Sequence, residues 1–261
     1  MCRSIPGVGA SNTRLGRTGA QRLAAAFLAV LLAFRAEASD FLGSPEGLQV
    51  WPELDVFVGA GEDFRIIGKL EPSLIPSLGN YNAGASIYGN WLVSPFMPTL
   101  ISPEIAKQRR LDVRVGLSWY PTVVAGDAGW ANVLQVEAEA TGRITIPGDI
   151  LMTVRNRVEA RWQLDEPTSF AWRLRIRPQL EREFELSPGA GHSLTPFANV
   201  EFIWSTSDDM WEQLRMQVGL QLGVRWFGKG QVIEVNGTII TYLQPARSYA
   251  PVVGVVWYQY F

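Results

Sequence analysis

The sequence predicts an all-β protein, an antiparallel transmembrane β-barrel of about twelve strands with ten as the alternative, preceded by a signal peptide. Three observations lead there. Apolar and polar residues alternate in ladders longer than the roughly 5 or 6 residues of a common globular strand, and suited to the roughly 9 to 11 residues that a tilted membrane strand needs to cross. Trp91, Trp119, Trp162, Trp172, Trp204, Trp226 and Trp257 fall near ladder ends, where membrane barrels carry aromatic girdles. The polar faces mix Gln, Gly, Arg and Glu side by side, which suits a crowded interior in which charges must pair. A soluble sandwich or lipocalin-like barrel would turn the same ladders the other way, apolar face inward.

The first element is not part of the fold. Arg3, Arg14, Arg17 and Arg22 precede the apolar run LAAAFLAVLLAF, and Ala36 and Ala38 supply a small-x-small cleavage pattern, so residues 1–38 read as a secretory signal peptide and 39–261 as the barrel domain. The apolar core falls short of the roughly 20 residues of a membrane anchor. Cleavage after Ala38 removes the chain's one cysteine, Cys2, and with it any disulfide or thiolate ligand. It also removes five Arg and one Glu from totals of 23 basic and 25 acidic residues, leaving a net charge of about −6. Nothing in that balance, which lacks a basic stripe, suggests a nucleic-acid partner.

The ladders then follow at 48–58, 64–70, 83–93, 111–119, 134–144, 150–164, 170–186, 194–204, 213–226, 231–243 and 249–261. The sixth sets Ile150, Met152, Val154, Val158, Ala160 and Trp162 against Thr153, Arg155, Arg157, Glu159, Arg161 and Gln163. After the turn DEPTS the seventh repeats the pattern, so the two make a long hairpin. The ninth is unbroken: Leu214, Met216, Val218, Leu220, Leu222, Val224 and Trp226 face away from Gln213, Arg215, Gln217, Gln221 and Arg225. GAGED, IPGD, SPGAG, TSDD and FGKG supply the turns. Single-chain bacterial barrels have even strand numbers, so eleven ladders imply one more strand; the irregular stretch 72–108 has room for it or for a plug-like insertion.

The chemistry concentrates on the hairpin. Arg155, Arg157, Arg161, Arg173, Arg175 and Arg177, with Glu159, Glu181 and Glu183, fall on one lumen wall if residues 164–169 turn. One reading is a buried ion-pair network filling a narrow barrel; the other is a basic eyelet for a small anionic solute, since rings of Arg select anions. His192 beside Ser193 is the one pair with hydrolase chemistry, but neighbours in a turn rarely acquire triad geometry. A single His and no mature Cys argue against a transition-metal site, and no cofactor is expected. Asp208, Asp209, Asp165 and Glu166 read as solvated turn residues. The NGT at 236–238 matches a glycosylation acceptor but lies mid-strand.

The ending VVGVVWYQYF places Trp257, Val255 and Val253 at alternate positions before Phe261. It resembles the C-terminal assembly signal of Gram-negative outer-membrane barrels, with Gln259 as a departure. The opening LQVWPELDVFVGAGEDFRI, the pair RNRVEARW and RLRIRPQLEREF, and QVGLQLGVRW resemble a family of small proteobacterial outer-membrane barrels known only as a domain of unknown function. The resemblance implies fold and location: the outer membrane of a Gram-negative bacterium, with its lipid and the barrel assembly machinery as partners. It brings no catalytic residue, and the chain is not expected to be an enzyme. Three roles stand: a narrow passive channel or structural envelope barrel, an outer-membrane hydrolase acting on lipid, and a soluble periplasmic binder.

Overall fold

The structure is a computed structural model that describes residues 48–75, 80–96, 107, 109–123, 130–165, 167–187, 192–207, 210–226, 229–243 and 248–261. The expected signal peptide lies outside them. Twelve strands follow in chain order: β1 (Gln49–Gly59), β2 (Phe64–Ile75), β3 (Asn80–Phe96), β4 (Arg109–Val123), β5 (Trp130–Ile146), β6 (Ile150–Gln163), β7 (Ser169–Arg182), β8 (Phe184–Ser187), β9 (His192–Ser205), β10 (Met210–Trp226), β11 (Lys229–Tyr242) and β12 (Ser248–Tyr260). Among the described residues no helix is long and apolar enough to cross a membrane.

The twelve strands make eleven staves of a closed barrel. β7 and β8 share one stave, because both pair with β9 in a single register, Glu181 opposite Phe197 and Phe184 opposite Leu194, across a break at Glu183. Each of the eleven ladders read from the sequence thus supplies one stave. An odd wall cannot close antiparallel: its first and last strands run the same way, and β1 pairs with β12 in parallel from Gln49 opposite Val252 to Phe57 opposite Tyr260. Every other pairing is antiparallel. The closing seam therefore replaces the even-numbered closure that the parity argument favoured, and no extra strand is needed from 72–108.

Turn chemistry fixes the hairpin ends. Between β5 and β6, Gly148 and Asp149 take φ of 91° and 57°, left-handed values that Gly adopts freely and Asp tolerates. On β7 the ladder to β9 skips Arg177 and Pro178, where proline has no N–H to give.

The side-chain polarity is reversed relative to a soluble barrel. Outward positions carry Leu70, Ile87, Leu117, Val136, Val218, Leu220 and Val235, all exposed, Val218 to 64%. Inward positions carry Glu137, Glu139, Arg157, Glu159 and Glu201, each 7% exposed or less. Outward aromatics cluster towards the two rims. Near the rim of the β1–β2 turn, Phe64 packs on Trp91 with ring centroids 5.0 Å apart. At the other rim Phe170 lies 5.1 Å from Trp162 and 5.5 Å from Trp172, and Phe202 lies 6.2 Å from Trp211.

Inside, apolar clusters flank a charged middle. Phe57, Ile67, Tyr88, Val232 and Tyr260 pack near the β1–β2 rim, where Phe57 stacks on Tyr260 at 4.6 Å. Ile240, Ala250 and Val252 pack with Trp51 and Tyr242 towards the opposite rim. Close approach demands glycine at Gly116 and Gly219: a Cβ at either would run into the ring of Tyr88 or Phe197 lying over it.

Candidate functional site: the charged barrel interior

The β6–β7 register decides how the arginines meet. Arg155 stands opposite Arg177, Arg157 opposite Arg175, and Glu159 opposite Arg173. Like charges directly across a pair of strands repel, so their partners must come from other staves. Arg157 reaches β5, 2.7 Å from both Glu137 and Glu139. Arg175 is shared by Glu159 at 3.0 Å and Glu201 of β9 at 2.8 Å. Arg155 lies 3.1 Å from Glu201, and Arg173 lies 3.0 Å from Glu212 of β10. Arg215 of β10 adds a third guanidinium to Glu201 at 3.7 Å.

The remaining members of the sequence cluster sit apart from that lattice. Arg161 and Arg177 have no ion pair or hydrogen bond among the described residues. Glu181 instead receives Lys107, 2.8 Å away, and Glu183 lies at the β7–β8 break. Lys107, 7% exposed, also donates to Gln221 of β10 at 2.6 Å. Lys107, just ahead of β4, therefore links β7 and β10.

A second cluster lies on β1 and β2. Lys69 is 3.0 Å from Glu53 and 2.8 Å from Glu71, and Tyr120 donates to Glu71 at 3.2 Å. Asp55, 6% exposed, belongs to the same group, and its Oδ1 accepts no hydrogen bond. Between the clusters the wall is balanced. Tyr88 and Ser118 donate to Glu137, and Arg114 lies 3.8 Å from Glu139. Towards the β1–β2 rim, Arg65 donates to Asn90, Asn90 to Asp112, and Arg143 to Asp112. Both clusters line one cavity of about 260 Å³.

The acidic partners, Glu137, Glu139, Glu201 and Asp112, are not singled out by the sequence, nor are Lys107 and the Glu53–Lys69–Glu71 group. The signal was present in the period of two, since each acid occupies the polar side of its own ladder. What was missing was the register that brings Arg155 to Glu201 across 46 residues of chain.

The terminal residues divide between two environments. Trp257 and Phe261 are exposed on the outside, Val253 is half-buried, and Val255 is buried at the seam with 4% exposure. The Phe261 amide donates to the Phe57 carbonyl at 2.8 Å, and its carbonyl accepts from the Gly59 amide at 3.3 Å, so Phe261 prolongs the closing ladder by its backbone. Deleting Phe261 is expected to lower the yield of closed, folded barrel, whereas Phe261→Leu, which keeps both backbone bonds, should fold better than the deletion. Comparing the heat-modifiable, folded fraction of each variant after refolding in detergent micelles checks this; normal folding of the deletion would refute it.

Other sequence candidates fall into structural places. His192 and Ser193 begin β9 rather than sit in a turn; as successive strand residues they point to opposite faces, with Ser193 buried at 2% exposure. Asn236 is buried and donates to Glu234 at 2.8 Å, which leaves no access for a glycan. Asp165 accepts from the backbone amide of Asn132 at 2.5 Å, tying the β6–β7 turn to its neighbour. Asp208, Asp209 and Glu166 lie outside the described residues. Among the described residues no group of three or more His, Cys, Asp or Glu is placed to hold a metal ion.

The fold and this interior define a closed β-barrel with an apolar outside and a charge-lined inside. No protein-family model matches the chain, and no curated protein or solved structure does either.

Proposed function

We propose that the protein is an integral outer-membrane β-barrel of a Gram-negative bacterium whose narrow polar interior serves small polar solutes. The observation that carries the proposal is the reversed polarity. Val218, Leu220 and their neighbours stand exposed between two zones of aromatic rings while Glu159 and Glu201 are buried inside; that arrangement is favourable in lipid and unfavourable in water. A closed barrel satisfies its strand hydrogen bonds internally, as a bilayer requires. The resemblance of the ladders and ending to small outer-membrane barrels supports the location.

A structural envelope role is the second reading, favoured by the density of ion pairs across the interior. Envelope fractionation tests the location: the protein should resist salt extraction, come out with detergent, and run as a heat-modifiable band. Release by salt alone would return it to the soluble periplasmic class. Planar-bilayer recording divides the two membrane readings, with small single-channel steps expected of a conduit and none of a purely structural barrel.

A further inference from the structure

We propose that the interior cavity binds a small zwitterion, a molecule carrying one carboxylate and one ammonium group, held between the Arg177 pole and the Asp55 pole. The proposal deepens the reading of the barrel as a conduit for small polar solutes.

Charge is divided unevenly around one space. On β6, β7 and β10, Arg155, Arg175 and Arg215 share Glu201, and Arg177 stands opposite Arg155 with no ion pair or hydrogen bond among the described residues. Positive charge is in excess there even after Glu159 takes its part of Arg175. On β1 and β2 the formal count is the reverse, with the three acids Glu53, Asp55 and Glu71 against Lys69. Glu53 and Glu71 share Lys69, and the buried Asp55 keeps an Oδ1 that accepts nothing. In ring order β1 and β2 lie half-way round the barrel from β7 and β9, and Asp55 and Arg177 both line the same cavity of about 260 Å³.

Each pole alone has a mismatch. Buried charge without a partner is costly, and among the described residues no ion pair joins Asp55 or Arg177 to the opposite wall. One solute with opposite charges at its ends satisfies both poles. Its carboxylate would accept from Arg177, with Arg155 or Arg215 beside it, in the charge-assisted geometry that guanidinium favours. Its ammonium would pair with the Asp55 carboxylate where that side chain lines the cavity. A simple anion would leave the Asp55 pole unchanged, and a simple cation the Arg177 pole.

The test uses the mature barrel, folded in detergent micelles, and isothermal titration calorimetry with three probes of one chain length: 6-aminohexanoate, hexanoate and hexylamine. The zwitterion is expected to bind at least about tenfold more tightly than either singly charged probe, since each added charge gains a charge-assisted hydrogen bond. Arg177→Gln should reduce zwitterion affinity to that of hexylamine, and Asp55→Asn to that of hexanoate, with heat-modifiability showing that both variants fold. Equal binding of hexanoate and 6-aminohexanoate would overturn the proposal in favour of an anion site. Absence of binding by the folded wild-type barrel, or unchanged affinity in both variants, would also overturn it. Flotation with lipid vesicles is scored separately, so a barrel that inserts but does not bind sinks this inference alone, and one that stays in solution sinks the membrane reading.

Discussion

Glu201→Ala is expected to destabilise the barrel by about 3 to 5 kcal/mol, the usual penalty for stripping one partner from a buried ion pair. Glu201 is 4% exposed and lies within 4 Å of the arginines Arg155, Arg175 and Arg215. Without it, guanidinium groups from β6, β7 and β10 would face one another in the interior. Arg155 would retain Glu139 at 3.6 Å and Arg175 would retain Glu159, but the contact that links three staves would be gone. Glu212→Ala is the comparison: its carboxylate pairs with Arg173 with 24% of the side chain exposed, and about 1 kcal/mol is expected there. Urea unfolding in micelles, followed by tryptophan fluorescence, measures both. Equal, small effects would mean that Glu201 is not the centre of the lattice.

The outer surface gives an effect of similar size from a different cause. Val218→Arg should cost about 2 to 4 kcal/mol in lipid vesicles, falling to about 0 to 1 kcal/mol for Val58→Arg, because the penalty for an arginine facing lipid depends on depth. Val218 lies mid-way along β10, between Ala198 and Gly237, with 64% of its surface exposed. Val58 is 46% exposed beside the β1–β2 turn. In a water-facing wall both substitutions would be nearly neutral, since a surface arginine is well solvated. Folding equilibria in vesicles measure the difference, and two small values would remove the argument for a lipid-facing band.

The staves were legible because each one repeats a period of two for several turns of the pleat. The run from Leu214 to Leu222 announced its outward face residue by residue, and the outward exposure of Met216, Val218, Leu220 and Leu222 follows it. How the wall closes was less legible. Alternation is the same in parallel and antiparallel strands, so nothing between Gln49 and Phe57 says that β12 lies alongside in the same direction. The break at Glu183 was also silent, because the pattern runs on from Leu180 to Phe184 and Leu186 across it. In the interior, the basic half could be read from one hairpin, where Arg155 to Arg177 are local in sequence. Of the acids only those on the hairpin, Glu159 above all, could be read with it, since Glu137, Glu139 and Glu201 come from strands whose registers only the closed barrel fixes.

The parallel seam has a consequence for where the two ends of the domain emerge. β1 and β12 point the same way, so β1 begins at one rim and Phe261 finishes beside the Phe57–Gly59 segment at the other. A sheet with an even number of crossings returns its chain to the side it started from; this one does not. In a bilayer the two ends of the barrel would belong to different compartments, so a short epitope ahead of Gln49 and another after Phe261 would label opposite faces of the same membrane.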